Sequence, residues 1–246
     1  MAAWQGMTDI LRYNARFYAL SILAALLALV AALQALSLSL RIGLVAFAFG
    51  TLFFLAASLG ISHYVYDRSP LRSWSWLSLP RPPQCWAVIH AGLDEASPDL
   101  RRLYPGAEGV VLDIYDPVEM TEPAIARARA MRPPPEPARA ARPEALPLAE
   151  ASLDLVVLFF AAHEVRRAAL RERFFGELMR VLHPTGTLLL VEHLRDAPNF
   201  LAFGPGAFHF LARAEWLRVA GHASLRLRQE TRITPFVRAF SFERAT

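Results

Sequence analysis

The sequence of 246 residues contains no lysine and only one cysteine, Cys85. All 26 basic side chains are therefore arginine, and the chain lacks the lysine-rich runs typical of nuclear localisation signals and nucleic-acid-binding tails. A single cysteine excludes a disulfide framework and a cysteine-based zinc site. Charged residues make up 20% of the chain and hydrophobic residues 54%, a composition that excludes an intrinsically disordered protein.

The hydrophobic residues are concentrated near the N-terminus. Residues 17–40 contain no charged side chain, and neither do residues 42–66. A helix needs about 20 apolar residues to cross the hydrocarbon core of a bilayer. Residues 1–66 are therefore predicted to hold two membrane spans joined by a short turn at residues 37–43. The alternative is a pair of buried helices in a soluble protein, but such helices seldom run this long without a charge.

The arginines near these runs lie mostly outside the predicted turn, at Arg12, Arg16, Arg68, Arg72 and Arg81. Only Arg41 lies between the two runs. The positive-inside rule predicts an inner-membrane protein with both termini on the cytoplasmic side. The whole formal charge of +4 belongs to residues 1–85, which carry six arginines and two aspartates. This charge therefore indicates contact with anionic headgroups and no nucleic-acid partner.

The pattern changes after a proline-rich linker over residues 67–85. In that linker, Trp74 and Trp76 are either interfacial anchors or packing residues of the next domain. Apolar runs then alternate with helical stretches, which predicts an α/β domain over residues 86–246 with helices on both faces of the sheet. The predicted strands are 86–90, 109–113, 154–160, 187–192, 224–229 and 236–242, the last two antiparallel. The predicted helices are 97–104, 117–131, 165–182 and 208–220. Residues 132–147 and 194–206 are predicted loops, the first with at most a short strand.

Ligands of such sheets bind beyond the carboxyl ends of the parallel strands. Gly92 follows the first strand, where a glycine lets the backbone approach a ligand closely. Asp113 ends the second strand, 21 residues after Gly92, and an acid in that place accepts hydrogen bonds from ribose hydroxyls. A plain turn glycine and a helix cap remain alternatives for these two residues.

Two later segments resemble the class I S-adenosylmethionine-dependent methyltransferases. Residues 143–156, PEALPLAEASLDLV, resemble the family's "lPf…sfDlV" stretch, and residues 177–192, ELMRVLHPTGTLLLVE, resemble its "E..RVLkPGG.lllvE" signature. The resemblance covers residue 86 to the C-terminus and is closest to the ubiquinone/menaquinone type. It implies a Rossmann-like seven-stranded sheet with a reversed last strand, and S-adenosylmethionine as cosubstrate.

The first loop departs from this family. The family's Asp-x-Gly-x-Gly-x-Gly pattern corresponds here to residues 90–96, HAGLDEA, which keep a single glycine. By the resemblance, Asp94 or Glu95 would hold the amino group of the methionine moiety. Tyr115 would cover the adenine or ribose, with a place in the core as the alternative. The cofactor-binding residues implied are His90, Gly92, Asp94, Asp113 and Tyr115.

Methyl transfer from a sulfonium is an in-line displacement that depends mainly on positioning. A general base is needed only where the nucleophile does not lose its proton readily, and a neutral histidine can take a hydroxyl proton near pH 7. The candidate catalytic residues are His163 and Glu164 after the fourth strand and His193 after the fifth, ahead of His209. A structural role is the alternative for each histidine. Because the set lacks the spacing of a known site, no metal is expected.

Residues 199–209 form an apolar connector with Phe200, Phe203 and Phe208. It predicts a hydrophobic acceptor pocket or a membrane-facing mouth, with packing on the hairpin as the alternative. The hypothesis is a membrane-anchored methyltransferase acting on a small, apolar or lipid-like acceptor. Because the glycine loop is altered, the alternative hypothesis is a cofactor-free scaffold or partner-binding membrane protein with a methyltransferase-like domain. A nicotinamide-dependent oxidoreductase is disfavoured because the Gly-x-Gly-x-x-Gly fingerprint is absent.

Overall fold

A computed structural model describes residues 4–132 and 138–245. The chain forms two compact units, one with the N-terminal helices up to Ser69 together with Asp196–Phe208, the other with Pro70–Arg195 and the chain from His209. The helices are α1 (Gln5–Tyr13), α2 (Ala15–Gln34), α3 (Leu38–Ser62), α4 (Ser97–Leu103), α5 (Pro123–Met131), α6 (Ala168–Val181), α7 (Ala197–Phe203) and α8 (Arg213–His222). The strands are β1 (Cys85–His90), β2 (Glu108–Asp113), β3 (Arg139–Ala140), β4 (Leu153–Phe159), β5 (Leu182–His193), β6 (Leu225–Thr234) and β7 (Val237–Arg244).

The first unit is built on the α2–α3 hairpin. Both helices are long and apolar enough to cross a membrane, and only 22% and 11% of their most apolar stretches are buried. A core helix of a soluble protein is mostly buried, so the exposure of α2 and α3 differs from what a pair of buried core helices would show. The helices meet through small side chains, which allow close approach, at Ala25, Ala28 and Ala48.

The hairpin turn lies earlier than the sequence predicts. It spans residues 35–37, because Ser37 begins α3 and its Oγ accepts a hydrogen bond from the Leu40 amide at 3.3 Å. Arg41 therefore lies in the first turn of α3. Its guanidinium donates to the Ala35 carbonyl at 3.1 Å and so satisfies a carbonyl at the end of α2.

The second unit is a seven-stranded sheet in the order β3-β2-β1-β4-β5-β7-β6. Five strands are parallel, and β7 runs antiparallel to both β5 and β6. The predicted α/β fold with a reversed last strand is confirmed. The central strands β1 and β4 are buried along most of their length, as their continuous apolar runs predict. Phe174, Phe175 and Trp216 of α6 and α8 complete the core without exposure to solvent.

Several predicted boundaries are wrong for local reasons. The helix predicted from residue 117 begins at Pro123, because Asp116 forms a turn in which its carboxylate accepts the Val118 amide at 2.8 Å. The turn predicted at residues 184–186 lies within β5, where pairing with β4 shifts from Leu182 to Thr187. The loop predicted over 194–206 contains α7. The helix predicted from residue 208 begins at Arg213, after a 3-10 turn over Gly204–His209.

The linker tryptophans pack within the second unit. Trp74 is 3% exposed, its indole nitrogen donates to Asp99 at 2.9 Å, and its ring lies 5.4 Å from that of Phe159. Trp76 stacks on Trp74 at 5.3 Å. Of the two alternatives for this pair, packing on the following domain is the one observed.

Candidate active site

Four strands bring their carboxyl ends to one edge of the sheet. β1 and β2 end in register, with His90 opposite Asp113. β4 and β5 lie on the other side of β1 and are parallel to it. This arrangement collects the residues that follow all four strands, which is where ligands of parallel sheets bind.

His90 presents a hydrogen-bond donor with no partner among the described residues. Its Nδ1 accepts the Gly92 amide at 3.2 Å, so the neutral ring carries its proton on Nε2. Burial lowers the pKa of His90, and the nearby Asp113 carboxylate only partly opposes that shift. The Nε2 atom is buried and unpaired. An unpaired buried donor is costly, so an acceptor atom of a ligand is favoured there.

Gly92 adopts a conformation that other residues rarely reach, with φ of +125°. A Cβ atom at this position would lie 2.7 Å from Ile125 Cγ2 and 3.3 Å from Arg129 Cγ. Glycine is therefore required here both by the backbone and by the close packing of α5.

Asp113 already binds a protein cation. Its carboxylate accepts the Tyr115 amide at 3.0 Å and Arg129 Nη1 at 2.6 Å. The Arg129 guanidinium also stacks over the Tyr115 ring, 4.4 Å from its centre. Tyr115 packs against the sheet core as well. Ribose hydroxyls that bind Asp113 would therefore share this carboxylate with Arg129 or displace it.

The two acids of the first loop also have partners. The Asp94 carboxylate forms a turn just before α4, accepting the amides of Ala96 at 3.2 Å and Ser97 at 2.9 Å. Glu95 pairs with Arg72 of the linker at 3.0 Å. These contacts use the Asp94 carboxylate within the loop before α4, so its contact with a cofactor stays a prediction.

His163 and Glu164 lie on a 3-10 turn, Ala162–Glu164, directly after β4. Phe160, just before this turn, has φ of +52°, a strained value for a residue with a Cβ and one found preferentially at functional sites. His163 Nδ1 contacts the Glu192 carboxylate at 2.7 Å, and its Nε2 contacts the Glu164 carboxylate at 3.0 Å. All three side chains are buried.

The carboxylates control the charge of this cluster. Burial by itself would lower the pKa of His163, but Glu192 and Glu164 outweigh burial and raise that pKa to about 10. Burial raises the pKa of Glu164, yet the hydrogen bonds from His163 and His209 lower it overall. At neutral pH the cluster is therefore an imidazolium held between two carboxylates.

His209 joins this cluster, although the sequence ranks it behind His193. Its Nε2 lies 3.3 Å from Glu164 Oε1. The ligand atoms of His163, Glu164 and His209 lie within 4.8 Å of one another, a set that a divalent transition metal can accept. However, the Arg166 guanidinium contacts the His209 ring at 2.5 Å and donates to its carbonyl at 2.6 Å, which puts a positive group beside the cluster.

His193 has a different setting. Its ring stacks between those of Phe160 and Phe210, with both centroid distances at 4.9 Å. Its Nδ1 donates to the Phe236 carbonyl at 2.9 Å. These contacts give His193 a packing role at the end of β5, and a catalytic role for it stays a prediction.

Arg171 of α6 supports the segment that follows the His163 turn. Its Nη1 donates to the carbonyls of Val165 at 2.7 Å and Arg166 at 3.0 Å, and its guanidinium pairs with Glu215 of α8. The contacts of Arg171, Arg129 and Glu192 are not among those predicted from the sequence. Of these three, only Glu192 could have been predicted to lie at the site. It stands near the carboxyl end of the strand that is next to the one preceding His163.

Comparison with known proteins identifies the domain. Residues 105–190 match a family described as a methyltransferase domain. No curated protein matches the chain by sequence. Among solved structures, mitomycin 7-O-methyltransferase MmcR is 14% identical with a TM-score of 0.59, covering 100% of this chain and 74% of its own. Human N-acetylserotonin methyltransferase in complex with SAM is 15% identical with a TM-score of 0.54, and the match covers 82% of this chain and 58% of the human one. A SAM-dependent methyltransferase from Aquifex aeolicus is 14% identical with a TM-score of 0.51, and the match covers 67% of this chain and 84% of the Aquifex one.

Residues 105–190 thus form part of a methyltransferase domain, and the sheet around them has the fold of the S-adenosylmethionine-dependent methyltransferases. At these identities the solved structures show a shared fold, and the family match supplies the methyltransferase assignment. The match begins after the Gly92 turn, which is where this methyltransferase departs from the usual glycine loop.

The residues of this methyltransferase fit S-adenosylmethionine at the ends of β1 and β2. His90 Nε2 is a buried donor awaiting an acceptor, and Asp113 offers a carboxylate to ribose hydroxyls. At Gly92 the space of a side chain is filled by Ile125 and Arg129 of α5, so only the backbone of this turn is offered to the cofactor. His90, Gly92 and Asp113 are thus the residues that would hold the cofactor, subject to the competition from Arg129.

Proposed function

We propose that this protein is a membrane-anchored methyltransferase acting on a small, apolar or lipid-like acceptor at the cytoplasmic face, with His163, Glu164 and Glu192 as its proton-handling residues. The observation that carries the proposal is the exposed apolar surface of α2 and α3 in a chain that also holds a methyltransferase sheet. The mitomycin and N-acetylserotonin methyltransferases named above act on small molecules, which supports an acceptor of that kind.

His90, Gly92 and Asp113 bind and orient the cofactor, which when bound supplies an electrophilic methyl group. Glu192 fixes the His163 ring through Nδ1, so that Nε2 is the atom that exchanges a proton. Only the neutral ring accepts a proton from an acceptor hydroxyl, and the two carboxylates make that form a minor one at pH 7. A buried cluster also keeps bulk water from competing for the methyl group.

Calorimetric titration of the full chain in detergent with S-adenosylmethionine or S-adenosylhomocysteine tests the cofactor part. We expect saturable one-to-one binding. Absence of heat at millimolar ligand, with a folded protein, would favour the cofactor-free scaffold. Extraction of native membranes at alkaline pH tests the anchor separately, and we expect the protein to remain in the pellet.

A further inference from the structure

We propose that the segment Asp196–Phe208 is a third membrane-contacting element, which lies in the acyl region of one leaflet beside α3. The inference rests on the proposed membrane anchoring of α2 and α3. It concerns a segment of the methyltransferase sequence that is not itself long enough to span a bilayer.

The segment folds onto the hairpin. The Asp196 carboxylate caps α7 by accepting the Asn199 amide at 3.1 Å. The Phe200 ring packs edge-on against Phe54 of α3, with centroids 6.4 Å apart. Gly204 ends α7 with φ of +55°, and a Cβ there would lie 3.0 Å from the Phe54 ring. The glycine therefore permits both the turn and the close approach to α3.

The outer surface of the segment is apolar. No residue from 197 to 208 is charged. Phe200 is 42% exposed, Leu201 66% and Phe208 64%, and Phe53 on the neighbouring face of α3 is 59% exposed. Exposed apolar side chains grouped in this way mark an interaction surface. A protein partner would be expected to meet a polar rim, which the uncharged segment does not provide.

The level of the contact along α3 points to lipid as the partner. Phe54 lies eight residues before Ser62, which places it about 12 Å from the end of the helix at 1.5 Å per residue. The first charged residue after α3 is Asp67. Since the hydrocarbon core is about 30 Å thick, a contact at this level falls inside a leaflet. Amphipathic elements that lie on membranes bury their apolar face to about 5–10 Å.

The two ends of the segment lie close together, because the residues that flank it are hydrogen-bonded to each other. In the sheet domain, the Arg195 amide donates to the Leu211 carbonyl at 3.0 Å, and Leu194 pairs with Leu211 as an isolated bridge. His209, the residue that returns to the sheet domain, contacts Glu164 of the proton-handling cluster. A membrane-bound element is therefore joined covalently to a member of the candidate active site.

Site-directed spin labelling of the full chain tests the proposal. Cys85→Ser removes the native thiol, and a single cysteine is introduced by Leu201→Cys or, as a second position, Phe208→Cys. The labelled protein is reconstituted in phosphatidylcholine–phosphatidylglycerol vesicles, and collision with oxygen is compared with collision with a water-soluble nickel chelate. Leu27→Cys in α2 is the lipid control, and Val118→Cys, at a position 80% exposed in the sheet domain, is the water control.

We expect labels at 201 and 208 to favour oxygen as the label at 27 does, by at least severalfold over the label at 118. Labels at 201 and 208 that behave like the one at 118, while 27 is lipid-exposed, would overturn this inference and leave the anchoring intact. A water-exposed label at 27 would overturn the anchoring as well. Dipolar broadening between labels at 201 would show that a second copy covers the surface, which also overturns the proposal.

Discussion

At the scale of single residues, the raised pKa of His163 sets the pH at which this side chain could act as the proposed base. If neutral His163 accepts the proton of an acceptor hydroxyl, the rate with such an acceptor should rise about tenfold per pH unit from pH 7 and level off near pH 10. Glu192→Gln removes one of the two carboxylates that raise the pKa of His163, so the plateau should move to lower pH. The pH–rate profile of purified enzyme measures both effects.

His222→Ala, at an exposed position on α8, is the matched control and should leave the profile unchanged. Folding must be followed across the same range, because a raised histidine pKa stabilises the folded state. That stabilisation is complete below the unfolded pKa of about 6.5 and is lost as pH rises through about 10. A flat profile in folded protein would mean that His163 does not act as the base.

Arg129 and Asp113 allow a paired prediction about cofactor affinity. Arg129→Met removes the cation that competes for Asp113, and we expect S-adenosylhomocysteine to bind about fivefold more tightly, corresponding to roughly 1 kcal/mol. Asp113→Asn should weaken binding about tenfold, because charged hydrogen bonds to the ribose are lost. Calorimetry measures both variants, and Arg127→Met on the same helix serves as control. Weaker binding in Arg129→Met would show instead that Arg129 itself contacts the cofactor.

The placement of site residues was predictable only as far as the strand ends. His163, Glu164, His90 and Asp113 follow apolar runs that predict strands, so their common edge follows from the parallel fold. Which side chains meet depends on rotamers and on partners distant in sequence. Aromatic stacking turns His193 toward Phe160 and Phe210, whereas the return of the chain at residue 209 brings His209 to Glu164.

At the scale of elements, Arg171 joins α6, α8 and the segment after the His163 turn. Arg171→Met would leave the Val165 and Arg166 carbonyls without their donor, while Glu215 would keep Arg218, and we expect a loss of about 2–4 kcal/mol in stability. For a chain of this size the melting temperature should fall by roughly 10 °C. Arg173→Met, exposed on the same helix, should change it by less than about 2 °C. Thermal unfolding in detergent measures both, and equal melting temperatures would refute the assignment.

Long apolar runs in the sequence predicted the buried strands well. Turns formed by local side-chain hydrogen bonds were not predicted. The bounds of the buried strands β1 and β4 were predictable to within one residue, because short continuous apolar runs are typical of buried strands. The start of α5 was not, because the Asp116 turn interrupts a helical pattern. The segment holding α7 is rich in glycine and proline, which indicates a loop unless the surface that it packs against is known.

At the scale of the whole molecule, charge and hydrophobicity are divided between two regions. The six arginines of residues 1–85 account for the excess charge, while the sheet domain is formally neutral. The basic isoelectric point of 9.7 therefore arises from the N-terminal helices and their flanks, and it gives no reason to expect a nucleic-acid partner. Four of the six arginines lie beyond the hairpin ends and Arg16 lies in the first turn of α2, so five lie away from the hairpin turn; this asymmetry is the physical basis for the proposed orientation.

The orientation can be tested with the same cysteine-free background, Cys85→Ser. Leu36→Cys places a thiol at the fully exposed turn of the hairpin, and Val118→Cys places one on the sheet domain. Because arginines resist translocation, we expect a membrane-impermeant maleimide to label position 36 in intact cells and position 118 only after permeabilisation. The reverse pattern would place the methyltransferase outside the cytoplasm. Labelling of neither position in intact cells, or of both, would put the two positions on the same side and mean that the hairpin does not span the bilayer.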